Sequence, residues 1–395
     1  MVTIGHPELV AAIALEIQVF GPIPFVRFME LALYHPQFGY YMRAPEGTEA
    51  RIGWEGDYYT SSDVHPILGQ ALARQAEQID RLLGCPDPFT VVEMGPGKGL
   101  LAKHFLSACR SHSQSFQQRL RYILIDRSPA MRATQRQNLS EWLTQPGMLA
   151  WEDGLDSLDQ AGITGLLFSN ELLDAFPIHR IQMTGGGIQE IYVDYQNGQF
   201  VECLKPLSTA PLAEHLRRLN CDWPDGYRTE VNLQALDWMK QVARCMNRGV
   251  ALTIDYGHTA QDLYRPDRKT GTFLCYSRHS TNETPYQNIG AQDMTAHVDF
   301  SSLAAVGETQ GLQVTGFTNQ LSFLMGLGVE TMLTELQPES PEFQAAIHLL
   351  KPNGMGGTFK VLVQHKGIVS PNLDGLTFKP FWGSALTGLA SAVNA

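Results

Sequence analysis

The stretch F-T-V-V-E-M-G-P-G-K-G-L-L-A-K, residues 89–103, constrains this chain more than any other. A β-rich run, Phe89–Val92, ends at Glu93; glycines follow at 95, 97 and 99, and Leu100–Leu106 reads as a helix. A strand that turns through glycines into a helix is a nucleotide-cofactor loop of an open α/β sheet. The glycines permit dihedrals closed to other residues and let the backbone approach a ligand. A dinucleotide fingerprint needs G-x-G-x-x-G, but its third place, position 100, is Leu. No pyrophosphate is therefore expected at the helix N-terminus.

The spacing E-x-G-x-G-x-G is instead that of loops that hold S-adenosylmethionine (SAM), whose methionine and ribose moieties meet the backbone. Glu93, Gly95, Gly97 and Gly99 are then cofactor-binding candidates. Further along, Arg121–Ile125 reads as a second strand ending at Asp126, where an acid accepts hydrogen bonds from ribose hydroxyls. A cap for the helix of S-P-A-M-R-A-T-Q is the plainer role for Asp126. Met148–Trp151 is a third short strand, and Asp153 at its end is a candidate acceptor for an adenine amino group.

Gly165–Ser169 is the fourth strand and runs into N-E-L-L-D-A-F-P at 170–177; Gly249–Asp255 is the fifth, followed by Tyr256. Glu93, Asp126, Asp153, Asn170 and Asp255 all fall at strand ends, where open α/β sheets bind ligands. Strands alternating with helices predict a doubly wound, mostly parallel, Rossmann-like sheet. Helices are expected at 7–20, 25–33 and 67–83, forming with a lid an N-terminal segment, 1–85. The core is then 86–184 and 249–366, interrupted by an α+β insertion at 185–248 and followed by a tail, 367–395. Asn197-Gly198 marks a hairpin within the insertion. The polar and aromatic stretch 271–300 reads as a functional loop.

Of 395 residues, 44% are hydrophobic, ample for a large core. The net charge of −11 argues against electrostatic capture of nucleic acid. No apolar run reaches the roughly 18 residues of a membrane span. Six cysteines at wide, irregular spacings form neither a disulfide frame nor a zinc site, and no metal is expected. The default compartment on these grounds is the cytoplasm.

Several motifs occur in one order: G-D-Y-Y-T-S at 56–61, the glycine loop, N-E-L-L-D-A-F-P at 170–177, I-D-Y-G at 254–257, D-M-T-A-H-V-D-F at 293–300 and Q-L-S-F-L-M-G-L-G at 320–328. Together they resemble the MidA family of SAM-dependent methyltransferases, across roughly residues 25–365. That family includes the mitochondrial complex I assembly factor that methylates an arginine of a complex I subunit. The resemblance implies a class I methyltransferase fold, SAM at Gly95–Gly99, and a protein arginine as acceptor, in a complex I type subunit. It lapses at Ser62-Asp63, Leu274 and Thr284, where the family usually has Pro-Glu, Arg and Asp.

Methyl transfer from a sulfonium is an in-line displacement, so positioning is the enzyme's main task. A guanidinium acceptor is charged at neutral pH and poorly nucleophilic. Carboxylates can hold its fork and free one nitrogen to attack. Glu171 and Asp174 are the expected catalytic pair, with Asn170 orienting the acceptor or the methionine carboxylate. Asn170-Glu171 could equally cap a following helix. His279 and His297 are candidate proton acceptors. Asp57, Tyr59, Thr60 and Ser61 are expected to fold over SAM as a lid, and Asp255 and Tyr256 to border the acceptor channel. A small-molecule methyltransferase and a non-catalytic assembly factor that keeps the fold are the alternatives. The oligomeric state is left open, a dimer included.

Overall fold

The computed structural model describes residues 4–43, 65–112, 114–277 and 280–379. Its centre is a sheet of seven long strands and one short one. In chain order the long strands are β1 (Phe89–Met94), β2 (Leu120–Ile125), β3 (Leu149–Glu152), β4 (Ile163–Asn170), β5 (Met246–His258), β6 (Gln313–Asn319) and β7 (Phe359–Lys366). They lie in the order β6-β7-β5-β4-β1-β2-β3, and Val298–Asp299 pairs in parallel with the end of β5. From β5 to β3 every pairing is parallel, whereas β7 runs antiparallel to both neighbours. The fold is mixed α/β with a mostly parallel sheet.

Alternate residues of each central strand feed opposite layers, because side chains alternate across a pleated sheet. Val91, Leu124, Leu166, Leu252 and Val361 join one core with the helices Ile67–Leu82 and Leu100–His112. Their neighbours Val92, Ile123, Leu167, Ala251 and Leu362 join the other, with Leu233–Cys245 and Phe300–Thr309. Strands buried on both faces read as continuous apolar runs, as these do. Each fully buried leucine or phenylalanine contributes about 1.5–3 kcal/mol of transfer free energy.

A second, antiparallel sheet holds His179–Thr184, Gly187–Gln196, Gln199–Lys205, Arg228–Val231 and the short strand Ile23–Pro24. It therefore begins at residue 179, ahead of the 185 boundary read from the sequence, and it recruits the N-terminal segment. Asn197 and Gly198 both have positive φ, 52° and 80°, as a two-residue hairpin requires. Helices Pro7–Phe20 and Phe25–Tyr34 pack here, sharing one core with Val193, Phe200, Phe273 and Met294. Helix Leu233–Cys245 lies instead against the central sheet.

The stretch 271–300 is largely ordered as a small sheet of Leu274–Ser277, Ser280–Asn282 and Asp293–Thr295. Its strands have three or four residues, too few for a period to show. Alternation of buried Phe273 and Cys275 with half-buried Leu274 and Tyr276 fixes it against the N-terminal helices.

Candidate functional site

A cavity of about 390 Å³ opens at the carboxyl ends of β1, β2 and β4. Gly95 and Gly97 form part of its wall, with Glu93 beneath them. Gly97 has φ 51°, and a Cβ built there meets no atom of the described residues within 4 Å. The space it would enter is a cradle for a ligand. Gly95 (φ 67°) is closed differently, since its Cβ would sit 2.8 Å from Leu172 Cδ1. Gly99 (φ 77°) does not border the cavity; its N–H donates to Pro96 O at 2.7 Å and closes the turn into the helix.

Gln135 locks this loop in place, and the sequence reading missed it. Its Nε2 donates to Gly97 O at 2.8 Å and to Asp126 Oδ2 at 2.7 Å, while its Oε1 accepts Trp151 Nε1–H at 3.0 Å. Asp126 borders the cavity and also accepts Ser128 N–H at 2.8 Å. Burial pushes its carboxyl above the usual aspartate value, against these bonds. Glu93 is 2% exposed and accepts the Tyr122 hydroxyl at 2.7 Å. Burial pushes its carboxyl up to about 8, with nearby Asp126 adding to the rise.

Asp153 borders the cavity mouth, its side chain 95% exposed and its Oδ1 2.7 Å from Arg132 Nη2. Arg132 also donates to Asp126 O at 2.6 Å and Glu152 O at 2.5 Å, clamping the ends of β2 and β3.

After β4 the chain turns and does not enter the helix that Asn170-Glu171 would have capped. Glu171 takes φ 52°, uncommon for a residue with a side chain. Its N–H donates to Ile254 O at 3.0 Å, and its carboxylate faces the cavity wall. Asn170 Nδ2 donates to Glu171 Oε1 at 3.0 Å, and the Tyr256 hydroxyl lies 3.4 Å from Oε2. Asn170 is 9% exposed, and its Oδ1 is buried at the cavity wall without a partner among the described residues.

The turn separates Asp174 from Glu171. Asp174 is 5% exposed and is not among the residues bordering the cavity, contrary to the expectation of a paired acceptor site. Burial first, then Asp255, Asp293 and Glu171, raise its carboxyl well above the usual range. Asp255 is better served. Its Oδ2 faces the N–H groups of Leu172, Leu173 and Asp174 at 3.2, 2.8 and 3.3 Å, and its Oδ1 accepts Tyr256 N–H. Burial pushes the Asp255 carboxyl up as well, to about 7, but the four N–H donors oppose the rise, so of the two carboxyls Asp255 keeps its charge more readily. Asp255 thus anchors the turn from below and does not border an open channel.

His297 lies on the far side of Tyr256, its ring stacked on that residue at 6.2 Å. Tyr59, Thr60, Ser61, Asp57 and His279 lie outside the described residues.

The remaining wall comes from parts of the chain that carried no motif. Tyr34, from the second helix, donates its hydroxyl to Ala175 O at 3.0 Å; Tyr41 donates to Asp293 Oδ1 at 2.6 Å. Gln234, Trp238 and Gln241 present one helical face to the cavity, and Trp238 Nε1 is buried without a partner among the described residues. The i, i+4 and i+7 spacing 234, 238, 241 was the available signal, though it equally describes a core face.

A family model described as "Putative S-adenosyl-L-methionine-dependent methyltransferase" matches residues 71–318. A crystal structure of a Burkholderia thailandensis protein bound to S-adenosyl-homocysteine superposes with a TM-score of 0.83 at 31% identity, covering 94% of this chain and 95% of that one. A Drosophila melanogaster protein named as the mitochondrial protein arginine methyltransferase NDUFAF7 homolog is 29% identical, over 94% of this chain and 87% of its own. The Homo sapiens protein arginine methyltransferase NDUFAF7, also named mitochondrial, is 25% identical over 87% and 80%. These names overturn the expectation of a cytoplasmic protein and point to mitochondria. Free cysteines report a reducing environment, which does not tell the two compartments apart. With more than half of its length, the glycine loop included, matched by this model, the chain belongs to this family of SAM-dependent methyltransferases.

Proposed function

We propose that this enzyme transfers a methyl group to an arginine side chain of a protein, on a class I, Rossmann-like core. The strand order with its single reversed β7 supports that fold reading. SAM, when bound, supplies an electrophilic methyl on a sulfonium. Gly95 and Gly97 leave backbone exposed to it, Asp126 receives the ribose hydroxyls, and Asp153 stands at the adenine end. Asn170 Oδ1 has no donor among the described residues and suits an ammonium or N–H of a ligand.

The observation that carries the acceptor assignment is the setting of Glu171. Its carboxylate stands at the cavity wall, on a strained turn, oriented by two neutral donors, Asn170 and Tyr256. A carboxylate fixed this way holds a guanidinium fork and directs the other nitrogen toward the methyl. Asp255 supports the turn from beneath, beside the buried Asp174, whose carboxyl is pushed well above the usual range by burial. The relatives named protein arginine methyltransferases favour the same acceptor. A complex I type subunit as the particular acceptor rests on family resemblance alone. Among the described residues no helix is long and apolar enough to cross a membrane.

The test is methylation of a lysate of the source organism with labelled SAM, followed by mass spectrometry of the labelled proteins. Label on arginine that disappears with Glu171→Gln supports the reading. Label confined to metabolites, with SAM bound normally, overturns it.

A further inference from the structure

Behind Tyr256, on the side away from Glu171, four basic side chains converge where no reaction step uses them. His258 ends β5, and its ring lies 5.1 Å from that of His297. Arg268 Nη2 is 3.5 Å from His258 Nε2. Lys360, near the start of β7, donates its Nζ to Gly357 O and Thr358 O. Each of the four is half-buried. Among the described residues neither Arg268 nor Lys360 is in an ion pair with a carboxylate. The nearby acid, Asp262, gives Arg268 its main-chain carbonyl at 3.3 Å and turns its carboxylate to Thr259 Oγ1 at 3.3 Å.

Two nitrogens in this group are orphaned among the described residues: Arg268 Nε and His297 Nδ1 are buried there without a hydrogen-bond partner. An unpaired polar group in such a place is costly unless something supplies the acceptor. Both histidines are held neutral: His258 at about 3 by burial first, then by His297, Arg268 and Lys360, and His297 at about 4 by burial first, then by Arg268 and Lys360. The positive charge here is that of Arg268 and Lys360, with the Asp262 carboxylate near enough to Lys360 to offset part of it. A small oxyanion satisfies all of these conditions at once.

We propose that His258, His297, Arg268 and Lys360 form an oxyanion site, one tyrosine ring away from Glu171, that takes a carboxylate or phosphate group carried by the acceptor protein. Tyr256 links the two, because its hydroxyl meets Glu171 while its ring stacks on His297 and packs, tilted, against Phe359. An arginine at Glu171 and an acid beside it in the acceptor would then be read by opposite charges. The site itself does not depend on the arginine reading; its assignment to the acceptor does.

The experiment uses the full chain and follows the His258 and His297 ring signals by NMR during titration with inorganic phosphate. Saturable shifts are expected, with binding about tenfold weaker in Arg268→Gln, the loss of one charge-assisted contact. SAM affinity, measured on the same samples, should be unchanged and shows that the variant is folded. An arginine peptide flanked by glutamates should compete with phosphate, and its KM in methyl transfer should rise in Arg268→Gln while that of a neutral-flanked peptide does not. Phosphate binding without peptide competition keeps the site and overturns its assignment to the acceptor. Absence of saturable shifts, or equal phosphate affinity in the variant, overturns the site, whether or not arginine is methylated.

Discussion

Asp255 Oδ2 accepts the backbone N–H of Leu173 at 2.8 Å, across the gap between the end of β5 and the turn after β4. The same oxygen faces the N–H groups of Leu172 and Asp174, so a single carboxylate organises the backbone that presents Glu171. Asp255→Asn keeps the shape but substitutes a neutral amide, one end of which donates. We expect a loss of about 2–3 kcal/mol in urea denaturation, the scale for a buried charged acceptor. Methyl transfer should fall further than SAM affinity, because the displaced element is the acceptor turn. Wild-type stability in this variant would remove the anchoring role.

At Gly97 the backbone adopts φ 51° and a Cβ would project into open space. Gly97→Ala carries a strain cost of about 1–2 kcal/mol and occupies ligand space. Gly84, at φ 82° with nothing within 4 Å of its Cβ, lies away from the cavity and provides the comparison. Gly84→Ala should lower the melting temperature similarly and leave SAM binding intact. Gly97→Ala should weaken SAM by about tenfold or more in calorimetry. Equal affinity in both variants would show that the cradle does not hold the cofactor.

Glu171→Gln retains size and the contact with Tyr256 but removes the charge. If Glu171 orients a guanidinium, kcat should fall by roughly a hundredfold or more. SAM affinity should stay within about threefold, since that change is under 1 kcal/mol. Parallel losses in both would place Glu171 on the cofactor side.

The parts of this picture that could be read in advance are those where a local pattern dictates backbone geometry. The glycine loop is such a case, because φ values of 67°, 51° and 77° need glycine and their spacing is visible in one chain segment. The hairpin at Asn197-Gly198 is another. Glu171 and Asp174, three apart, invited pairing on one face, but a positive φ at Glu171 sends the chain into a turn that buries Asp174. Tyr34, Tyr41 and Trp238 reach the cavity through long-range packing, and nothing within their own segments distinguishes a cavity wall from a core face. Gln135 lies on a helix whose sequence looks like solvated surface, and only its contacts with Gly97 and Asp126 reveal its part.

Glu93 gives the pH dependence a definite sign. Its carboxyl rises from 4.5 to about 8 on folding, mainly through burial. The folded chain therefore holds a proton that the unfolded chain has lost, between pH 4.5 and about 8. The neutral carboxyl's contribution is complete below pH 4.5 and is lost as pH climbs to about 8, on the order of 1.4 kcal/mol per unit. Glu93→Gln cannot ionise and still accepts the Tyr122 hydroxyl with its amide oxygen. The difference in stability between variant and wild type, measured by urea denaturation without cofactor, should grow steadily in the variant's favour from pH 5 to pH 8. The histidines held neutral at 258 and 297 act in the opposite direction, below their ordinary value of 6.5, but equally in both proteins, so the difference isolates Glu93. Two curves that run parallel across this range would show that Glu93 is already ionised in the folded protein.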